Sequence, residues 1–219
     1  MAPIPDSVDA RLLVDLTSHA TDLSEAAHTL GLALDAGEDS DLWSPLTMHA
    51  VTAYCRPFVP SNVRDRLDQM HQFAGVPAEL RPVHDKIRKY RNTTVAHSQS
   101  DLATPIALAR LDDSGAVRDV VGVTLLQPMT VVVAEHFAEL VDAVEGLVEE
   151  ATKPVSERLK ERLAKVPPDV VAGWPMPKAV AARDHEFSGG RARTRRPRFT
   201  AYWRVEPPRP SADDSPAGL

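Results

Sequence analysis

The sequence predicts a mainly α-helical fold: four main helices around one core, a β-hairpin inserted before the last helix, and a proline- and arginine-rich C-terminal tail. Apolar residues recur at spacings of three and four over most of residues 1–152, which is the period of an amphipathic helix. Aromatic residues make up only 5% of the chain, so leucine, valine and alanine must fill the core, and that composition favours helices. We therefore divide the chain into a helical bundle, 1–152, and a tail, 153–219.

The first two helices are each bounded by residues that favour a helix start or stop. The first is expected over 7–35, where Asp6 or Ser7 can cap its beginning. The second is expected over 41–58, and Pro57 ends it because a proline disfavours helix at the residue before it.

Two further helices follow. Residues 62–74 are expected to form either a short helix or a loop anchored in the core by Leu67, Met70 and Phe73. The third long helix is expected over 77–96, and the fourth over 130–152, where a continuous apolar stripe marks a buried face.

The remaining segments have a different composition. Residues 104–126 contain two β-rich runs separated by DDSG, a turn signal, which predicts a β-hairpin. Residues 155–165 are expected to form a short charged helix, and the prolines that follow are spaced as in a linker.

The end of the tail combines arginines with aromatic residues. Proline and arginine richness without an apolar stripe is typical of disorder. Arginines among aromatic side chains can also bind RNA phosphates and bases, or an acidic partner. Both interpretations stay open, and the second one assigns contacts to Arg195, Arg196, Arg198, Tyr202 and Trp203.

Composition and motif spacing exclude several classes of protein. The only cysteine, Cys55, cannot form a disulfide within the chain, and its apolar surroundings favour a buried, inert thiol. The histidines show no metal-ligand spacing, so we expect no metal or cofactor. We find neither a signal-peptide pattern nor a membrane span, which predicts a cytoplasmic protein. A net charge of −6 argues against coating of the whole surface by nucleic acid, but it allows a local basic site.

One segment, KYRNTTVAHSQSD at 89–101, contains the residue types that phosphate chemistry needs. The guanidinium of Arg91 is always charged and suits phosphate, and the imidazole of His97 is of a type that exchanges protons near neutral pH. RNA cleavage by its own 2′-hydroxyl needs a base, an acid and a cation.

The spacing of this segment leaves a second interpretation open. Six residues of ideal helix turn about 600°, which places Arg91 and His97 on different faces unless the helix frays before His97. Alternatively the segment is an ordinary helix end, where Arg88 and its basic neighbours form a solvated face favoured by the helix dipole.

The segment RNTTVAH resembles the signature of the HEPN superfamily, in which an arginine and a polar residue precede a histidine by a few positions. AYCRPF, at 53–58, is similar to the end of the second helix in HEPN proteins of abortive-infection phage-defence systems. The resemblance covers roughly residues 7–150 and excludes the hairpin and the tail.

This resemblance implies a helical bundle that forms a homodimer, and in many members a metal-independent endoribonuclease used as a toxin or in phage defence. It implies that Arg91 stabilises the scissile phosphate, that His97 is the acid or base, and that Asn92 orients either group. RNA would be the ligand, and a cognate antitoxin or another protein a possible partner. Because some family members bind RNA or proteins without cleaving, a non-catalytic module is the alternative.

Three basic residues outside the RNTTVAH segment could also line this site. Arg56, His84 and Arg88 are candidates. For Arg56 the sequence favours a surface or capping role, and for His84 it favours a solvated side chain.

Overall fold

The computed structural model describes residues 2–97 and 99–174, together with the backbone of 178–179 and 205–206. Within 2–97 and 99–174, helix accounts for 59% of the residues and strand for 11%. This confirms a mainly α-helical chain that carries a small antiparallel hairpin.

In chain order, the described elements are helices and hairpin strands followed by a pair of two-residue strands. They are α1 (Val8–Ala36), α2 (Trp43–Cys55), α3 (Arg81–Tyr90), β1 (Ala103–Leu111), β2 (Val117–Leu126), α4 (Val131–Leu163), α5 (Pro168–Ala172), β3 (Lys178–Ala179) and β4 (Val205–Glu206). Single 3₁₀ turns span Arg56–Phe58 and Leu67–Gln69, and a π turn spans Arg91–Val95.

The chain divides into two compact units. Over residues 2–97 and 99–174, the first unit contains 2–18, 60–66 and 150–174, and the second contains the rest. The second unit holds both the RNTTVAH segment and the hairpin.

In the first unit, the beginning of α1 is joined to the end of α4 by ion pairs. Ser7 caps α1, because its Oγ accepts a hydrogen bond of 3.2 Å from the Ala10 N–H, as the sequence predicts. The carboxylate of Asp9 accepts hydrogen bonds from Arg158 at 2.9 Å and from Arg162 at 3.3 Å.

The predicted end of the fourth helix at residue 152, with a separate helix over 155–165, is wrong. Helix α4 continues to Leu163 and passes through Pro154. Ala151, Val155 and Leu159 are buried at helical spacing on either side of this proline. Burial of this apolar stripe offsets the hydrogen bond that the proline cannot make.

Aromatic rings fill the core of the second unit. The Tyr54 ring lies 5.3 Å from the ring centroids of both Phe58 and Phe137, and Phe58 lies 6.5 Å from Phe73. Because Pro57 disfavours α-helix at the residue before it, α2 ends at Cys55. Residues 56–58, expected as the last turn of this α-helix, form a 3₁₀ turn instead.

The segment between α2 and α3 is mostly irregular. It holds the two 3₁₀ turns, and Leu67, Met70 and Phe73 are buried as the loop interpretation predicts. Helix α3 begins at Arg81 rather than at 77, with Pro82 in its first turn, where the missing N–H costs least.

The predicted hairpin is confirmed. Strands β1 and β2 pair antiparallel from Ala103 opposite Leu126 to Arg110 opposite Asp119. In the connecting turn, Gly115 has a φ of 84°, and the Asp112 carboxylate accepts hydrogen bonds from the Ser114 backbone and hydroxyl. The DDSG residues therefore form the turn through hydrogen bonds to the Asp112 carboxylate and the left-handed backbone conformation of Gly115.

Candidate active site

The RNTTV residues continue α3 as one π turn, where the sequence predicts ordinary helix. The Ala96 N–H donates a hydrogen bond of 2.9 Å to the carbonyl of Arg91, five residues earlier. A π turn contains one more residue than an α turn, so Ala96 rather than Val95 lies one turn after Arg91. His97 is the next residue along the chain.

Two threonines hold this turn. The Thr93 hydroxyl donates to the Lys89 carbonyl at 2.9 Å, and the buried Thr94 hydroxyl shares a hydrogen bond of 2.7 Å with Ser100. Threonine hydroxyls that bond to the preceding turn compete with regular helix geometry. The adjacent threonines were thus a sequence signal for an irregular turn that the periodicity argument missed.

The structure brings Arg91 and Asn92 together but does not join His97 to them. Arg91 Nη1 donates a hydrogen bond of 3.1 Å to Asn92 Oδ1. Asn92 and His97 are exposed, and Arg91 is half-buried. Among the described residues, no hydrogen bond links the His97 imidazole to either neighbour. All three side chains remain accessible to a ligand from solvent.

Arg88 and Arg91 lie close to the end of α2, because α2 packs against both α3 and the π turn. Their positive charges favour the thiolate of Cys55, but burial has the larger effect and raises the pKa of this thiol to about 11. The predicted burial of Cys55 is confirmed. At neutral pH its sulfur is a protonated core atom beside two guanidinium groups.

Within residues 2–97 and 99–174, neither Arg88 nor Arg91 forms an ion pair with a carboxylate, and the same holds for Arg81 and Arg118. Several other arginines in these ranges are paired, for example Arg110 with Asp119. Two uncompensated guanidinium groups one turn apart can receive an anion of two or more charged oxygens.

Arg56, a candidate for lining the site, is held by carboxylates of α1. Its Nη1 lies 3.2 Å from Asp22 and 2.5 Å from Glu25, and His49 Nε2 lies 2.6 Å from the second oxygen of Glu25. The hydrogen bond from Arg56 is the main reason that the pKa of Glu25 is lowered. The side chain is therefore engaged in a helix-to-helix network, and its charge is already compensated.

The expectation that His84 is solvated is wrong. Its side chain is buried, and its Nδ1 shares a hydrogen bond of 2.7 Å with the Tyr54 hydroxyl. The ring also packs edge-on against Phe58, with 4.7 Å between centroids. Burial lowers the pKa of His84, and the nearby charge of Arg88 lowers it further. His84 is thus a neutral core residue that connects α3 to α2.

Sequence reasoning missed the polar roles of two tyrosines. The spacing of Tyr54 in α2 indicates only a buried helix face, although its hydroxyl is the partner of His84. Tyr90 directly precedes Arg91, and within the described part of the chain its hydroxyl is buried without a hydrogen-bond partner. The hydrogen-bonding role of a tyrosine hydroxyl on an apolar helix face can be predicted only when the residue that packs against it is known.

The tail candidates fall outside the described residues. Arg195, Arg196, Arg198, Tyr202 and Trp203 all belong to this group. Over the described ranges, no cluster of histidine, cysteine, aspartate and glutamate has the arrangement of a metal site. No helix in the same ranges has the length and apolarity needed to span a membrane.

Comparisons of the chain with models of protein families, with curated proteins and with solved structures found no match.

Proposed function

We propose that this protein is a metal-independent endoribonuclease of the HEPN type, acting as a toxin or phage-defence effector, with its site at the π turn. The observation that supports this best is the hydrogen-bonded pair of Arg91 and Asn92 on this turn, with Arg88 one turn earlier and neither guanidinium ion-paired among the described residues. The exposed side chain of His97 follows directly after the turn. Such a group of residues offers charge for a phosphodiester and a proton-transfer group within residues 88–97 of the chain.

In this mechanism the 2′-oxygen of RNA attacks the adjacent phosphorus, and the bond from phosphorus to the 5′-oxygen breaks. One group removes the 2′-hydroxyl proton, and one group protonates the departing 5′-oxygen, so that a cyclic phosphate and a 5′-hydroxyl result. Arg91 stabilises the negative charge that builds on the phosphate oxygens. Asn92, which already accepts a hydrogen bond from Arg91, holds the guanidinium in position.

The two proton transfers suggest a reason for a homodimer. His97 is the only imidazole of the RNTTVAH segment, and a single imidazole would have to perform both transfers in turn. Two chains that share one cleft would supply one imidazole as base and the other as acid. This proposal therefore places the two copies of His97 on opposite sides of one phosphodiester.

A non-catalytic module that binds RNA or a protein is the second candidate. It is favoured by the absence, among the described residues, of any hydrogen bond from His97 to Arg91 or Asn92. In such a module Arg88 and Arg91 would still attract phosphate, while His97 would have no part in the chemistry.

Cleavage of labelled single-stranded RNA in EDTA tests the proposal. Replacing His97 by alanine should lower the cleavage rate about 100-fold or more, because it removes the proton-transfer group. His136→Ala is the matched control, since His136 is an exposed histidine on α4, and it should cleave at the wild-type rate.

The outcomes separate the two candidates. Equal cleavage by wild type and His97→Ala would remove this imidazole from the mechanism. RNA binding by wild type without cleavage would establish the non-catalytic module. Loss of binding in Arg91→Ala, with Arg81→Ala on the same helix unchanged, would assign the phosphate contact to the π turn.

A further inference from the structure

The two faces of the β1–β2 hairpin differ in their apolar side chains, because most of the large ones lie on one face. Residues directly opposite each other in an antiparallel pair share a face, so the register divides the hairpin into two sets. One set contains Ile106, Leu108, Val121, Val123 and Leu125, which we name the apolar hairpin face. The middle of the other face carries the small residues Ala107, Ala109 and Gly122, with Val120 and Leu126 towards its two ends.

This face is open to solvent along most of its length. Leu108 is 46% exposed and Leu125 is 52% exposed. An isolated two-stranded hairpin is only marginally stable in water, and apolar patches left exposed usually mark an interaction surface. The described residues leave these side chains uncovered, so the hairpin gains stability when another apolar surface packs on it.

The charged residues at one end of the apolar hairpin face indicate which molecule packs on it. Arg110 and Asp119 lie opposite each other on the same face, with 4.0 Å between Arg110 Nη1 and the carboxylate, and both are exposed. Consider a second copy related by a twofold axis parallel to the strands. Such an axis lays β1 of one copy over β2 of the other, so each Arg110 meets Asp119 of the second copy.

The same operation matches the apolar residues. Leu108 on β1 then lies over Val121 on β2 of the second copy, and Ile106 lies over Val123, because these residues are opposite each other in the register. Two sheets packed in this way bury their inner side chains between them. The face is therefore complementary to itself in both charge and polarity.

We propose that the apolar hairpin face is a homodimer interface, occupied by a second copy of this chain. The face is only two strands wide, so the dimer is weak and forms in the micromolar range, at about 1–100 μM. The proposal is independent of the ribonuclease activity proposed above, since it rests on hairpin residues and not on the π turn.

Sedimentation of the full chain over that concentration range tests the interface. Leu108→Glu should raise the dimer dissociation constant about a hundredfold, because each dimer loses two buried leucines and gains two buried charges. Ala107→Glu introduces the same charge on the opposite face of the same strand and should leave the dissociation constant unchanged.

Charge reversal tests the predicted partners across the twofold axis. Arg110→Glu and Asp119→Arg should each dimerise more weakly than wild type, because like charges then meet between copies. An equimolar mixture of the two variants should form heterodimers at least as readily as wild type forms dimers, since every facing pair is again of opposite charge. A contact confined to one chain would not be restored by mixing.

Other results would overturn the proposal. The proposal fails if the wild-type chain stays monomeric over the whole concentration range. The apolar hairpin face would then be covered by the chain's own residues after 174 or by another protein. A dimer that is equally sensitive to Ala107→Glu and Leu108→Glu, or insensitive to both, would place the contact elsewhere. A chain that stays monomeric would also contradict the shared cleft of the proposed function, whereas the results with the hairpin variants bear on this interface alone and do not depend on RNA cleavage.

Discussion

At the scale of single residues, the hydrogen bond between Tyr54 and His84 links the helix that carries the candidate site to the core. His84 lies one turn before Arg88 on α3, and Tyr54 directly precedes Cys55 on α2. Burial lowers the pKa of His84, so the imidazole is neutral in the folded chain at neutral pH. A protonated imidazole here would be buried beside the positive charge of Arg88, which opposes folding.

This arrangement predicts that acid destabilises the protein through His84. A histidine whose pKa is lowered by folding contributes stability above its ordinary value of 6.5, and that contribution is lost as pH falls through the lower folded value. We expect the urea concentration at the midpoint of unfolding to decrease as the pH is lowered below 6.5. His84→Phe should weaken this pH dependence. The exposed-histidine variant His136→Ala should retain it.

The same hydrogen bond has a measurable energy. Tyr54→Phe should lower the free energy of unfolding by about 1–3 kcal/mol at pH 7.5, because it leaves a buried imidazole nitrogen without its partner. Urea denaturation measures this difference. An unchanged free energy of unfolding would show that the bond contributes little.

At the scale of elements, α4 shows how buried apolar residues can sustain a helix through a proline. Pro154 is exposed, while Ala151 and Val155 on either side of it are buried. Proline lacks the N–H that would bond to the carbonyl of Glu150, and its ring crowds that carbonyl. The stripe nevertheless keeps its period as far as Leu159.

Replacing Pro154 by alanine should therefore stabilise the protein. We expect the free energy of unfolding to rise by about 1–3 kcal/mol, because the helix regains one hydrogen bond and loses a steric conflict. Pro167→Ala, just before α5, is the control. It should be neutral or slightly destabilising, because it raises the conformational entropy of the unfolded chain and adds no hydrogen bond to a helix interior. A decrease for Pro154→Ala would mean that the proline ring itself makes favourable contacts.

The elements that were predictable from sequence are those fixed by local chemistry. The hairpin followed from two β-rich runs around an Asp–Gly turn, and the end of α2 followed from Pro57. The continuation of α4 through Pro154 was not predicted, although the apolar residues Val155 and Leu159 keep the helical spacing beyond it. The burial of His84 depends on Tyr54, a partner 30 residues earlier, and the π turn depends on threonine hydroxyl bonds such as that of Thr94 to Ser100. Apolar periodicity along one helix indicates neither.

At the scale of the whole molecule, the charge is unevenly distributed. The chain holds 25 basic and 31 acidic side chains, yet six arginines fall within residues 191–204. A chain with a net charge of −6 repels RNA on average, so binding under the proposed function depends on local groups such as the arginines of the tail and of the π turn. Each contact with phosphate releases counterions, which makes binding weaker as salt rises.

The salt dependence of RNA binding distinguishes a binding tail from a merely disordered one. If Arg195, Arg196 and Arg198 contact phosphates, replacing all three by alanine should make the slope of log K against log salt less steep by about 2, since each contact to a single strand contributes about 0.7. Fluorescence anisotropy of a labelled single-stranded RNA at several salt concentrations measures this slope.

A matched control removes basic residues that already have carboxylate partners. Lys153, Lys160 and Arg162 pair with Glu150, Glu157 and Asp9 respectively, so replacing these three cations should change the slope little. A slope that is the same for wild type and the tail variant would show that these arginines make no phosphate contacts. The salt-dependent part of RNA binding would then belong to the guanidinium groups of Arg88 and Arg91.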